Sequence, residues 1–131
     1  MTTPEDATGA PALQYIRLED HPVESVNSLF DRQLVTGERT MLARIVLRKG
    51  CIVPLHSHEN EQIAYVLEGA LKFQIQDREI IVRAGEVLVI PSLVPHSAEA
   101  LEDTVDLDIS TPPRADWLQG SDQYLRNQHP K

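Results

Sequence analysis

Gly50-Cys-Ile-Val-Pro54-Leu-His56-Ser-His58-Glu-Asn-Glu-Gln62-Ile-Ala-Tyr-Val-Leu-Glu-Gly69 is the stretch on which the reading of this chain turns. Successive side chains of an extended backbone alternate sides, so His56 and His58 present both imidazoles to the same side of a strand. Gln62 follows four residues on, with an oxygen to offer. Three neutral donors from one short piece of backbone make most of a metal site. The competing reading is two surface histidines in a polar loop, which so short a motif yields by chance. A second block, Gly85-Glu-Val-Leu-Val-Ile-Pro91-Ser-Leu-Val-Pro95-His96, decides between them. It adds a histidine after an apolar strand and a proline-marked turn, so three of the chain's five histidines fall in the two blocks.

On these residues the sequence resembles the cupin superfamily. The first motif of that family reads Gly, five residues, His-x-His, three or four residues, Glu or Gln, six residues, Gly; Gly50, His56, His58, Gln62 and Gly69 match every position. The second reads Gly, five residues, Pro-x-Gly, two residues, His, three residues, Asn. Gly85, Pro91 and His96 fit it, whereas Leu93 stands where Gly is usual and Ala100 where Asn is usual. The resemblance covers about residues 40–110 and implies a jelly-roll barrel.

With 131 residues, the chain has the length of one domain and buries roughly two thirds of the surface its unfolded form exposes. Its 20 acidic against 12 basic side chains, a net charge of −8, argue against a nucleic-acid partner. They leave room for a small anionic substrate, since one arginine and a metal reverse the field inside a pocket. A lone cysteine, Cys51, excludes an intramolecular disulfide. No apolar run approaches the roughly 20 residues of a membrane span. The N-terminus is acidic and proline-containing rather than signal-like, so a cytoplasmic protein is expected.

Residues 1–12, polar and rich in Pro, Thr and Gly, read as a mobile arm, and residues 13–131 as the barrel. Gln14 to Leu18 reads as an edge strand. Val23 to Thr36 reads as a turn followed by a strand near Gln33-Leu34-Val35. Met41–Leu47, Gln62–Leu67, Leu71–Ile75, Glu79–Val82 and Val87–Ile90 are further strands, separated by turn residues. Thr104–Ser110 alternates, with Val105, Leu107 and Ile109 on one face and Asp106, Asp108 and Ser110 on the other. Short strands at near-regular spacing indicate an all-β sandwich or barrel. After Pro112-Pro113, Ala115–Leu118 with Tyr124-Leu125 suggests a short C-terminal helix. An N-terminal strand and an exposed sheet face that need covering predict a homodimer.

His56, His58, Gln62 and His96, the last from a strand expected to lie opposite in the closed barrel, form the predicted ligand set for one divalent metal ion (Ni, Zn, Mn or Fe). Four donors leave positions open for water or substrate, the mark of chemistry or ligand capture rather than a closed structural site. Gln62 is neutral where many cupins carry Glu, so the full cation charge stays on the metal.

The polar face of the Thr104–Ser110 strand reads as water-facing, above all at Asp106. For Asp108 and Arg114 a narrower resemblance weighs in. The Gln62 form of the first motif, with this strand and Pro112-Pro113-Arg114, is similar to the small KdgF-type cupins of pectin degradation. Membership of that group implies linearisation of 4,5-unsaturated uronates, from pectin or alginate, to open-chain keto-acids. It also implies that Asp108 and Arg114 face the metal pocket as catalytic residues, Arg114 gripping the carboxylate with two prongs. Ser110 stands where that group has Phe. Two other readings compete: a cupin dioxygenase or isomerase acting on another small molecule, and a non-catalytic protein binding a metal or sugar acid.

Overall fold

The computed structural model describes residues 12–126. Ten strands follow in order: β1 (Glu24–Asn27), β2 (Phe30–Thr36), β3 (Met41–Leu47), β4 (Ile52–His56), β5 (Glu61–Glu68), β6 (Ala70–Ile75), β7 (Arg78–Arg83), β8 (Val87–Ile90), β9 (His96–Ala100) and β10 (Thr104–Thr111). Helices α1 (Ala115–Gln119) and α2 (Gln123–Arg126) close the described chain. The strands form a six-stranded sheet ordered β1-β2-β3-β10-β5-β8 and a four-stranded sheet ordered β4-β9-β6-β7. All pairings are antiparallel, and the all-β expectation holds. No described helix is long and apolar enough to cross a membrane.

Alternation builds the core. In β3, Met41, Ala43, Ile45 and Leu47 point inward and are nearly inaccessible, as do Ala64 and Val66 of β5 and Leu71 and Phe73 of β6. Burying such side chains contributes about 1.5–3 kcal/mol for each large one. Gly69, at φ +87°, turns β5 into β6 where a side chain has no space: a Cβ there would clash with Asp103 and Thr104.

The arm over residues 1–12 lies outside the described residues except for Ala12. Three expectations need correction. Gln14 to Leu18 is not a strand but an extended run ending in a 3-10 helix, Leu18–Asp20; Gln14 meets Thr36 through its side-chain amide, not a backbone ladder. The turn read before Gln33 contains a hairpin strand, β1, whose end is held by Asn27 Oδ1 accepting from the Leu29 N–H at 2.8 Å. The third concerns β10, whose faces are inverted: Thr104, Asp106, Asp108 and Ser110 are buried, whereas Val105 and Leu107 are half-buried and Ile109 is exposed. Period two fixes which residues share a face, not which face is inside. Here both neighbours of β10, β3 and β5, carry apolar side chains on their outer as well as their inner faces, so the outward apolar residues of β10 have apolar company.

Candidate metal centre

Three histidine rings meet where the two sheets approach. His56 ends β4 and His96 begins β9, and the two are register partners with ring centroids 4.3 Å apart. His96 is thus beside His56 in the same sheet, not opposite it; the strand across the interior is β5, which brings Gln62. His58 lies two residues beyond the end of β4, its ring 5.0 Å from that of His96. One ligand nitrogen from each of His56, His58 and His96 falls within 4.8 Å of the others, so this group could hold a metal ion.

Each ring is aimed by the same device. Nδ1 of His56 lies 2.7 Å from the Pro54 carbonyl, Nδ1 of His58 3.0 Å from that of Asn60, and Nδ1 of His96 2.8 Å from that of Val94. A carbonyl can only accept, so each Nδ1 carries the hydrogen and each Nε2 keeps its lone pair. Orienting a ligand imidazole through its other nitrogen is how metal sites fix the tautomer. Burial lowers the pKa of all three rings, that of His56 to about 4. Neutral imidazoles are what a cation requires.

Two further observations fit a cation. Nε2 of His96 is buried with no hydrogen-bond partner. Oε1 of Gln62 faces Nε2 of His58 at 3.2 Å, where neither atom has a hydrogen to give. The amide nitrogen of Gln62 serves the Asp108 carboxylate, which fixes the oxygen toward the rings. Four acceptors gathered around one point, three of them without a donor, are costly to leave unpaired and fit a cation between them.

Asp108 and Asp106 line the cavity that also holds His56, Gln62, His96 and Arg114. Burial raises the pKa of Asp108, offset by hydrogen bonds from Asp106 and Gln62 and by the charge of Arg114. Burial and the neighbouring Asp108 push Asp106 well above the usual carboxylate range, so Asp106 holds the proton of the pair. The water-facing reading of Asp106 fails because the inner face of β10 is the polar one.

Arg114, buried at the entry to α1, also lines the cavity. Its Nε and Nη2 donate to the two carboxylate oxygens of Asp116 at 3.0 and 2.8 Å, and Nη2 donates again to the Tyr124 hydroxyl at 2.7 Å. Nη1 is the corner these bonds do not use. Asn60 ties the two halves together: its carbonyl aims His58, and its side-chain amide donates to the carbonyls of Pro112 and Pro113, just before Arg114. Tyr124 stacks on His56 with centroids 4.8 Å apart, a neighbour the sequence placed only in a C-terminal helix. A lone tyrosine 28 residues after His96 carries no spacing signal that would have flagged it.

A family model described as a cupin domain matches residues 43–109. The pectin degradation protein KdgF of Dickeya dadantii is 28% identical over 108 residues, covering 80% of this chain and 98% of that protein. Human 3-hydroxyanthranilate 3,4-dioxygenase is 30% identical over 74 residues, which cover 53% of this chain but 26% of that protein. Among solved structures, KdgF from Halomonas sp. superposes with a TM-score of 0.76 at 25% identity, over 81% of this chain and 99% of that one.

Proposed function

From the premise that the chain belongs to the cupin domain family, we propose that it is a divalent-metal-dependent enzyme converting 4,5-unsaturated uronates to linear keto-acids. The observation that carries this reading is the convergence of three Nδ1-anchored histidines beside the buried Asp108 and Arg114. Similarity to KdgF over nearly the whole of that protein supports the substrate class.

His56, His58, Gln62 and His96 are the proposed ligands. A cation held there supplies Lewis-acid polarisation of a substrate oxygen. The rest is the work of the chain. Arg114 draws in the uronate carboxylate through Nη1, its guanidinium kept rigid by Asp116 and by the face of Trp117, whose centroid lies 4.7 Å away. Linearisation is an isomerisation: the ring C–O bond of the hemiacetal breaks, its hydroxyl proton leaves, and one proton arrives at the alkene carbon. A single group that takes the first proton and returns the second closes the balance, and Asp108 is placed to be that group. Asp106 keeps its proton and hydrogen-bonds Asp108, holding it toward the cavity. The enzyme is further read as a cytoplasmic homodimer, a state supported by the exposed Val87 and Val89 on edge strand β8 beside Tyr65.

The test is incubation of cation-loaded protein with unsaturated uronates. Loss of the ene absorbance faster than the spontaneous rate is expected; no acceleration with any of Ni, Zn, Mn or Fe rejects the reading. The dioxygenase similarity favours a second reading, oxygen-dependent ring cleavage by the iron-loaded protein. Oxygen uptake on adding an aromatic substrate, without uronate turnover, would select it.

A further inference from the structure

The structure assigns Tyr124 as a positioning residue of this site, one that holds a histidine with its ring and the arginine with its hydroxyl. The inference rests on the metal-centre reading but goes beyond it, because it makes the C-terminal helix pair a working part of the pocket.

The Tyr124 ring lies nearly parallel to that of His56, centroids 4.8 Å apart and planes 29° apart, while the neighbouring His96 crosses His56 at 57°. His56 therefore packs against both an imidazole and a phenol. With Nδ1 tied to Pro54 as well, its Nε2 has one direction left. At the other end, the Tyr124 hydroxyl accepts from Arg114 Nη2 at 2.7 Å and from Trp117 Nε1 at 3.0 Å. A phenolic oxygen has room for two such donors, and both come from the Arg114 cluster, since Arg114 also lies over the face of Trp117 at 4.7 Å. The same residue thus fixes a proposed ligand through its face and the anion-facing guanidinium through its oxygen.

Tyr124 is itself held from outside the pocket. Leu125, next in sequence, is fully buried, and its carbonyl accepts from the Asn27 side chain at 2.9 Å. Arg126 bridges Asp122 and Glu24 at 2.7 Å each, and Asp122 reaches the buried Arg32 of β2 at 2.6 Å. These contacts fasten α2 to the β1–β2 hairpin on both sides of Tyr124. A helix of four residues does not stand alone in water, so tertiary contacts of this kind decide where Tyr124 sits.

The two functions of the side chain separate by substitution. Tyr124→Phe keeps the stacked ring and removes the oxygen; Tyr124→Leu removes both. Zn2+ affinity is measured by calorimetry on the metal-free full chain, galacturonate affinity on the Zn2+-loaded chain, and the His56 ring by 15N NMR without metal. Tyr124→Phe should keep Zn2+ affinity within about twofold and the His56 ring signals in place, while weakening galacturonate about tenfold. Tyr124→Leu should lower Zn2+ affinity about tenfold as well and broaden the His56 signals. If Leu leaves both Zn2+ affinity and the His56 signals unchanged, or if Phe and Leu lose both ligands equally, Tyr124 has no such role. Should the parent bind no cation, the metal-centre reading falls, whereas the His56 signals of the two variants still decide whether Tyr124 positions that ring.

Discussion

His56 and His96 are direct partners across the β4–β9 pairing, their ring centroids 4.3 Å apart. Two of the three rings are thus spaced by a backbone ladder, which is stiffer than any loop. The remaining donors come from elsewhere: His58 from the corner after β4 and Gln62 from the six-stranded sheet. A cation bound by all four would join the two sheets at their seam, so its binding energy would also be stability of the fold.

That coupling gives the first prediction. At a cation concentration 100 times its dissociation constant, the parent gains about 2.7 kcal/mol of unfolding free energy. Differential scanning calorimetry with and without Ni2+ or Zn2+ reads this as a rise in Tm that chelator reverses. His96→Ala, which removes the buried and unpartnered Nε2, should fold and show no such rise. A cation-dependent rise of parental size in the variant would remove His96 from the ligand set.

The acid pair supplies the second. Asp108→Asn should lower uronate turnover by about 10²–10⁴-fold and leave cation affinity near that of the parent, because the asparagine oxygen still accepts from Gln62. Asp106→Asn replaces a carboxyl that already carries its proton, so most turnover should survive. Its effect is on stability. The folded chain keeps the Asp106 proton above the pH at which the unfolded chain, near 4, has lost it. Folded protein then binds more protons, and stability falls as pH rises. Asp106→Asn removes that loss, and chemical denaturation at pH 4 and pH 7 should show its advantage over the parent growing with pH. An advantage that shrinks with pH would mean Asp106 is ionised.

These residues also mark where the sequence was legible. The resemblance of the two blocks to the cupin motifs put His56, His58, Gln62 and His96 together, and the three histidines do gather, though with His96 beside His56 rather than opposite it. The face of β10 was not legible. Asp106, Asp108 and Ser110 alternate with Val105, Leu107 and Ile109, and that pattern is the same whether the polar set faces water or a pocket. Tyr124 was out of reach for another reason: its place depends on ion pairs between Arg126, Asp122, Glu24 and Arg32, up to 102 residues apart in the chain. Long-range pairs of this kind leave no local period to read.

Cys51 tests the packing at the start of β4. The thiol is fully buried, and burial raises its pKa from 9.0 to about 11. The unfolded chain releases this proton above pH 9, whereas the folded chain holds it until about 11. Stability should therefore fall by ~3 kcal/mol across that window, at about 1.4 kcal/mol per pH unit. Cys51→Ala lacks the titration, so its stability relative to the parent should improve from pH 9 to pH 11 in urea melts. At pH 8 the folded parent should resist iodoacetamide and react only on unfolding. Rapid labelling of the folded protein would show the thiol to be accessible.

Leu93 occupies the place where the second motif usually has glycine, and it sits at φ +68°. Its N–H donates to the His58 carbonyl at 2.8 Å, a bond that pins the corner carrying His58 and holds the backbone in the left-handed region. That region costs an ordinary L-residue about 1–2 kcal/mol. The Leu93 side chain is 65% exposed, so little packing offsets the cost. Leu93→Gly should keep the His58 bond and raise stability by about 0.5–1 kcal/mol, a gain of a few degrees in Tm. Gly69→Ala is the counterpart of opposite sign. Its Cβ would lie 2.8 Å from Thr104 Cα and closer still to the Asp103 carbonyl, both backbone atoms that cannot swing aside. Gly50→Ala and Gly85→Ala share a positive φ but meet nothing within 4 Å, so they should lose only the conformational ~1 kcal/mol. Thermal melts of the four variants should rank Leu93→Gly above the parent, Gly50→Ala and Gly85→Ala modestly below it, and Gly69→Ala lowest. A destabilised Leu93→Gly would mean that the leucine side chain, rather than the backbone bond, holds this corner in place.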